Sequence, residues 1–245
     1  MASAFPSNLI NLTARTLGVK FITSPEIVYI ARNAGFHALF IDLEHSSLSL
    51  ETASRLSVAA MNVSLSSIVR VPGRAGPGFI QRVLDNGAQG VIIPHVDTVE
   101  QALAAVKAAK CPPFGKRSVT GMLLHMGYRT ASISDVSAVG NTQLSIVIVM
   151  IEDPEAVANV DSIAAVDGVD VVLVGTNDLS IELGVAGDFD HPSFVDGLET
   201  VAAAVKRHGK ILGIARICNW PDLLQYYIRD LGARFGWACG FTACC

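Results

Sequence analysis

The sequence is short of charged residues, of aromatic residues and of cysteine. Charged residues make up 16% of the 245 residues and aromatic residues 7%, and the net charge is −4. The few positive charges are scattered along the chain, which predicts no nucleic-acid-binding face. Apolar residues account for 51% of the chain, so we expect a folded protein with a large buried core.

Long apolar runs are also missing. No run reaches the roughly 18 residues that a membrane-spanning helix needs, and the first residues lack the basic and apolar regions of a secretory signal. The five cysteines are odd in number and irregular in spacing, which predicts neither a disulfide framework nor a structural zinc site. We therefore expect a cytoplasmic protein that binds neither membrane nor nucleic acid.

What the sequence does contain is an alternation of short apolar runs with amphipathic stretches. Nearly pure apolar runs such as SIVIVMI are typical of strands covered on both faces of a parallel sheet. The predicted strands are residues 19–23, 38–42, 67–71, 90–95, 145–151, 169–174, 210–214 and 233–238. The predicted helices are residues 25–34, 49–60, 78–86, 98–110, 154–166, 192–208 and 221–231.

Eight alternations of this kind favour a single α/β domain, a (β/α)8 TIM barrel over residues 1–245. The competing fold, an open doubly wound sheet, should carry GxGxxG after its first strand, where this chain has TSPEIV. Residues 111–141 are polar and predict a long irregular loop. The last residues, GARFGWACGFTACC, leave no room for a full helix, so we expect an atypical, short C-terminal end.

Functional residues of such a barrel gather at the carboxyl ends of its strands. Six successive predicted strands end in polar side chains, which together predict one site. These side chains are Asp42, Glu44, His45, Arg70, His95, Glu152, Asn177, Asp178 and Arg216.

Glu152 and Asp178 follow adjacent predicted strands, and two carboxylates that converge without a cation would repel each other. Mg²⁺ or Mn²⁺ takes one or two protein carboxylates and leaves positions for water and substrate oxygens. We therefore predict Glu152 and Asp178 as metal ligands. The competing interpretation is that both cap helices, as Asp153 before Pro154 is expected to do.

His45 lies just past a strand end, three residues after Asp42. A carboxylate that accepts a hydrogen bond from one ring nitrogen raises the basicity of the other, so His45 and Asp42 predict a general base with its partner. Arg70 can clamp a carboxylate or stabilise an oxyanion. Taken singly, a loop histidine is usually structural and an arginine usually forms a salt bridge.

Six motifs occur in order along the chain: FIDLEH, IVRVP, DNGAQGVIIPHV, PPFGKRS, MIE and LVGTNDLSIELG. In this order they resemble the HpcH/HpaI aldolase family, metal-dependent 2-oxo acid aldolases to which macrophomate synthase is related. The resemblance runs from about residue 17 to about residue 216. It implies a barrel of the phosphoenolpyruvate/pyruvate type and a homo-oligomer.

The resemblance also implies a role for each candidate residue. His45 paired with Asp42 would be the acid–base group, acting through a water, and Arg70 would bind the 2-oxo oxygen and stabilise a pyruvate enolate. Glu152 and Asp178 would hold Mg²⁺, Mn²⁺ or Co²⁺. Glu44 would lie behind the metal ligands. The substrate contacts would come from Met150, Thr176, Asn177 and Arg117, and backbone N–H groups around Asn177 and Asp178 would hold the substrate carboxylate.

The chain departs from the family pattern at its substrate contacts. Met150 stands where the family usually has a glutamine, and Thr176 and Asn177 replace smaller or more rigid residues. Ser118 follows Arg117 where the family tends to have glycine. The catalytic groups are thus retained while the residues that recognise the substrate differ.

The predicted function is a class II aldolase, a carbon–carbon lyase acting on 4-hydroxy-2-oxo acids through a pyruvate enolate. Its partners would be a small 2-oxo acid, pyruvate or oxaloacetate, and an aldehyde or other acceptor. One alternative is an oxaloacetate decarboxylase or a carbon–carbon-forming enzyme resembling macrophomate synthase. A second alternative is a catalytically degenerate barrel.

Overall fold

Parallel strands that pair in chain order form the centre of the molecule. The computed structural model describes residues 15–215 and the backbone of residues 235–240. In this part of the chain the strands are β1 Arg15–Val19, β2 Ala38–Asp42, β3 Ser66–Arg70, β4 Gly90–Ile93, β5 Ile146–Ile151, β6 Val171–Val174, β7 Ile211–Ala215 and β8 Phe235–Gly240. The backbone of β8 pairs with both β7 and β1, which closes the sheet.

Helices connect successive strands on the outside of the sheet. In residues 15–215 they are α1 Glu26–Asn33, α2 Leu50–Asn62, α3 Pro77–Asp85, α4 Val99–Ala109, α5 Ile133–Gln143, α6 Pro154–Ala164, α7 Thr176–Glu182 and α8 Pro192–Arg207. Local sequence sets several of their starts: Ser49 caps α2, and Thr98 forms a capping box with Gln101 at α4. No helix of the described residues has the length and apolarity to cross a membrane.

Strand β5 shows why its sequence is almost purely apolar. All six of its residues are buried. Ile146, Ile148 and Met150 belong to the apolar cluster inside the curled sheet, whereas Val147, Val149 and Ile151 belong to the larger cluster between sheet and helices. Both faces of the strand are therefore covered, as the run SIVIVMI predicts.

The prediction of an α/β fold with a parallel sheet is confirmed. Six of the predicted helices are present, with bounds shifted by one or two residues. The predicted helix 221–231, Arg216 and the end of the chain after residue 240 lie outside the described residues.

The first predicted strand was placed too late. Strand β1 ends at Val19, because its residues Thr16 to Val19 pair with Ala38 to Ile41 of β2. The apolar side chains that suggested a strand over 19–23 are instead solvent-exposed, Phe21 to 81% and Ile22 to 45%. Residue 20 thus lies at the carboxyl end of β1.

The prediction of an irregular loop over 111–141 is wrong in its second half. Ser132 accepts a hydrogen bond from the backbone N–H of Asp135 and starts α5. Only Val136 and Gly140 of that helix are buried. A helix with so few buried positions shows no apolar periodicity, which is why the sequence pattern did not indicate it.

Candidate active site

A cavity of about 410 Å³ opens at the carboxyl ends of the strands. Six of the predicted site residues line it: His45, Arg70, Met150, Thr176, Asn177 and Asp178. The structure therefore brings together side chains at the carboxyl ends of β2, β3, β5 and β6, where an α/β barrel places its functional groups.

Asp42 and Arg70 form a buried ion pair against this cavity. Nε of Arg70 donates to Oδ1 of Asp42 at 3.0 Å, and Nη2 donates to Oδ2 at 2.6 Å. Burial alone would raise the pKa of Asp42, but the hydrogen bonds and the charge of Arg70, with a backbone N–H, hold this pKa at about 2. Asp42 is therefore ionised and holds the guanidinium group in place at the wall of the cavity.

The predicted pairing of Asp42 with the ring of His45 is wrong. Oδ1 of Asp42 accepts the backbone N–H groups of Glu44 and His45, at 3.0 and 3.2 Å. The His45 ring lies beside Glu44 instead, with 3.7 Å between Nε2 and Oε2. The reason is the strand register, which sets Asp42 directly opposite Arg70 and so gives the carboxylate a stronger partner.

Glu44 connects the groups around the cavity. Its Oε2 lies 3.2 Å from Nη1 of Arg70, and its Oε1 lies 3.8 Å from Nε2 of His95. Oε2 is buried and has no aligned hydrogen bond among the described residues. A buried carboxylate oxygen of this kind can accept a hydrogen bond from a bound water or ligand.

Glu152 is a buried carboxylate in a crowded acidic environment. Its Oε2 accepts the backbone N–H of His95 at 2.8 Å. Burial raises the pKa of Glu152 to about 7; His95 opposes this shift, while the charges of Asp178 and Glu44 add to it. A cation beside these carboxylates would stabilise their ionised forms.

Gly175 makes room for the Glu152 side chain. A Cβ atom on Gly175 would come within 2.6 Å of Cγ and Oε1 of Glu152. The end of β6 therefore accommodates the carboxylate only because residue 175 has no side chain.

The arrangement fits a hard divalent cation better than helix capping. Asp153 caps α6 by accepting the N–H of Ala156 at 2.8 Å, and the N-cap of α7 is Gly175, without a side-chain bond. Glu152 and Asp178 therefore cap neither helix. The described residues hold no cluster of three or more His, Cys, Asp or Glu that could bind an ion alone. Two carboxylates with water and substrate oxygens suffice for Mg²⁺.

The predicted substrate contacts on β5 and α7 lie around the cavity. Met150 is buried and belongs to the apolar cluster inside the sheet, so it supplies an apolar part of the wall. The Thr176 hydroxyl donates to the carbonyl of Ala215 at 2.9 Å, which links the ends of β6 and β7. Asn177 is exposed at the start of α7.

Arg117 does not line the cavity, which corrects the prediction that it contacts the substrate. Its side chain is buried, and Nη1 donates to the carbonyl of Ala109 at 3.1 Å while Nε lies 3.8 Å from Asp85. Ala109 and Asp85 are the last residues of α4 and α3. Helices run opposite to the strands in this fold, so these ends lie at the amino side of the sheet, away from the cavity.

Sequence reasoning missed two groups of the site. Lys20 lines the cavity, and its Nζ lies 3.1 Å from Oδ2 of Asp42. His95, noted only as a strand end, lies with Nδ1 3.4 Å from Oε2 of Glu152. A correct end for β1 at Val19 would have placed Lys20 among the strand-end residues.

Known proteins include clear relatives of this chain. The model of the HpcH/HpaI aldolase/citrate lyase family matches residues 21–242. A 4-hydroxy-4-methyl-2-oxoglutarate aldolase of Hapsidospora irregularis is 46% identical over 221 residues, covering 90% of this chain and 82% of that protein. The enzyme of the same description from Chaetomium globosum is 45% identical, with the same coverage.

A solved structure shows the same relationship. The HpcH/HpaI aldolase from Desulfitobacterium hafniense DCB-2 superposes with a TM-score of 0.84 at 30% identity, covering 93% of this chain and 86% of that chain. The predicted class II aldolase function and carbon–carbon lyase class are confirmed by these relatives. The chain belongs to the HpcH/HpaI aldolase/citrate lyase family.

Proposed function

We propose that this chain cleaves or forms the C3–C4 bond of 4-hydroxy-2-oxo acids with a divalent cation, Mg²⁺, Mn²⁺ or Co²⁺, held by Glu152 and Asp178. 4-Hydroxy-4-methyl-2-oxoglutarate is our first candidate substrate, because the relatives at 45–46% identity carry that name. The observation that carries the proposal is the Arg70 guanidinium, fixed by Asp42 at the wall of a cavity that Asp178 also lines.

The cation, when bound, supplies Lewis-acid stabilisation of negative charge on the 2-oxo acid. Arg70 stabilises the oxyanion that develops at the 2-oxo oxygen, and its fixed geometry means that little reorganisation is needed during the reaction. A carboxylate oxygen of Glu44 lies 3.2 Å from Nη1 of Arg70, so Glu44 would act behind the metal ligands by helping to hold the guanidinium.

His45 is the proposed acid–base group. Its side chain is 57% exposed and lines the cavity beside Glu44. The ring takes the proton of the 4-hydroxyl group, the C3–C4 electron pair passes to the enolate, and a proton then returns to C3. From 4-hydroxy-4-methyl-2-oxoglutarate both products are pyruvate.

We propose one (β/α)8 barrel of the phosphoenolpyruvate/pyruvate type over residues 1–245, supported by the likeness to the Desulfitobacterium structure over 93% of the chain. Assembly as a homo-oligomer and a cytoplasmic location stay predictions.

The test is release of pyruvate from 4-hydroxy-4-methyl-2-oxoglutarate by the purified chain with added Mg²⁺, Mn²⁺ or Co²⁺. We expect activity that a strong chelator abolishes and that Glu152→Gln lacks. Glu155→Gln is the matched control, since Glu155 is exposed on the first turn of α6 and should be neutral. Full activity in the presence of chelator would contradict the metal-dependent mechanism.

Met150 favours one alternative function, an oxaloacetate decarboxylase or a carbon–carbon-forming synthase. A buried thioether cannot donate the hydrogen bond that a glutamine at this position could make. Carbon dioxide release from oxaloacetate, without turnover of any hydroxy-oxo acid, would favour a decarboxylase or synthase. If calorimetry detects no binding of pyruvate or oxalate to the protein in the presence of Mg²⁺, the result would favour a catalytically degenerate barrel.

A further inference from the structure

Lys20 stands at the cavity with no role in the mechanism above. It follows β1 directly, its side chain is 26% exposed, and it lines the cavity together with Arg70 and His45. Among the described residues that line the cavity, the lysine is Lys20 and the arginine is Arg70.

The two cations share one carboxylate oxygen. Oδ2 of Asp42 lies 3.1 Å from Nζ of Lys20 and 2.6 Å from Nη2 of Arg70. The ammonium and the guanidinium nitrogen are therefore less than about 6 Å apart. C2 and C5 of a 2-oxoglutarate skeleton are three bonds apart, as consecutive Cα atoms are, and span about 3.8 Å. One such molecule can therefore contact both cations.

Lys20 also lowers the net negative charge around the cavity, where a substrate with two carboxylates would bind. The carboxylates of Asp42, Glu44, Glu152 and Asp178 outnumber Lys20 and Arg70 by two. A divalent cation brings this group to formal neutrality when the histidines are counted as neutral. Without the ammonium, the loaded site would be negative and would repel a dianionic substrate more strongly.

We propose that Lys20 binds the distal carboxylate of dicarboxylic 4-hydroxy-2-oxo acids and so selects acceptors that are themselves 2-oxo acids over simple aldehydes. The proposal rests on the proposed function and names a specificity residue for it. An ammonium has three N–H donors, so Lys20 can bridge Asp42 and a substrate carboxylate at the same time. The contact with Asp42 holds the ammonium at the wall of the cavity.

The test compares two substrates that differ in this carboxylate, 4-hydroxy-4-methyl-2-oxoglutarate and 4-hydroxy-2-oxopentanoate. We expect Lys20→Met to lower the ratio of their kcat/KM values by about 10- to 100-fold, the loss typical of one charge-assisted hydrogen bond. Lys20→Arg should keep most of the ratio. Lys107→Met is the matched control, since Lys107 is exposed on α4 and away from the cavity.

A binding measurement separates this inference from the proposed function. Calorimetry with Mg²⁺ present compares 2-oxoglutarate with 2-oxobutyrate, and needs no turnover. We expect Lys20→Met to lose affinity for 2-oxoglutarate selectively. That result supports the Lys20 site even if neither hydroxy-oxo acid is cleaved, an outcome that would overturn the proposed aldolase reaction alone.

Three results would overturn the role of Lys20. The first is an unchanged substrate ratio together with unchanged selectivity in calorimetry. The second is an equal loss for both substrates in a variant that melts at the wild-type temperature, because Lys20 would then act through Asp42 and Arg70. The third is borohydride trapping of pyruvate on the wild type but not on Lys20→Met, which would make Lys20 a nucleophile.

Discussion

Asp42 and Arg70 lie opposite each other on the neighbouring strands β2 and β3 and make a two-point contact, with N–O distances of 3.0 and 2.6 Å. The contact orients the guanidinium at the edge of the cavity. The same carboxylate also accepts the backbone N–H groups of Glu44 and His45. One buried side chain thus fixes both a charged group of the site and the loop that carries the histidine.

Replacing Asp42 should therefore reduce both stability and activity. Asp42→Asn removes the carboxylate that pairs with Arg70 at 2.6 Å and leaves only the Glu44 carboxylate, at 3.2 Å, beside the guanidinium among the described residues. Loss of one partner of a buried pair costs about 3–5 kcal/mol. We expect a lower free energy of unfolding in urea and a kcat lowered at least tenfold. An Asp42→Asn protein with wild-type kcat would show that Arg70 needs no orientation by this carboxylate.

The ion pair also predicts a dependence of stability on pH. The pKa of Asp42 is about 2 in the folded protein, below its ordinary value of 3.8. A lowered folded pKa means that this stabilisation is complete above about pH 4 and is lost as the pH falls toward 2, and it amounts to about 2 kcal/mol. Urea unfolding of wild type and Asp42→Asn from pH 5 to pH 2 should show the difference shrinking.

The control for this titration is Asp190→Asn, because Asp190 is exposed. Its difference from wild type should stay small across the same pH range. A difference between wild type and Asp42→Asn that does not change down to pH 2 would contradict a lowered pKa at Asp42.

Gly175→Ala tests the space behind Glu152. The new Cβ would meet Cγ and Oε1 of Glu152 at 2.6 Å, so the carboxylate must move. We expect weaker Mn²⁺ binding in calorimetry and a lower kcat. Gly197→Ala is the matched control. Gly197 is buried within α8, but a Cβ there would meet no atom of another described element within 4 Å, and alanine should stabilise the helix by about 0.5–1 kcal/mol. Wild-type Mn²⁺ affinity in Gly175→Ala would exclude the Glu152 carboxylate as a ligand.

Arg117→Met separates stability from catalysis. The variant loses the hydrogen bond to the Ala109 carbonyl in a buried setting, which should cost about 1–3 kcal/mol of folding free energy. Because Arg117 lies at the opposite end of the sheet from the cavity, kcat and KM of the folded protein should not change. A raised KM with unchanged stability would restore its predicted contact with the substrate.

Sequence patterns predicted most of the residues that line the cavity, but not which side chains contact each other. The apolar run of β5 gave both the strand and the position of Glu152 directly after it, because a strand covered on both faces has a distinctive composition. The partner of Asp42 depends on register between strands, which periodicity does not contain. The position of Arg117 likewise depends on the path of a long connection between β4 and β5.

Exposed apolar residues explain the remaining error. Phe21 and Ile22 continue the apolar pattern of β1 beyond its end, so the prediction displaced the strand to residues 19–23 and hid Lys20 inside it. Composition cannot distinguish an apolar residue in a strand from one at the rim of a cavity. Pairing with β2 makes that distinction.

The shared oxygen of Asp42 also bears on how this enzyme can be altered. Lys20 and Arg70 contact the same atom, so a substitution at either position changes the electrostatic environment of the other. Effects of paired substitutions should therefore be non-additive, and a double-mutant cycle over the two positions should give a measurable coupling energy. Substrate range at the β1 end and oxyanion stabilisation at the β3 end would then evolve together, not one residue at a time.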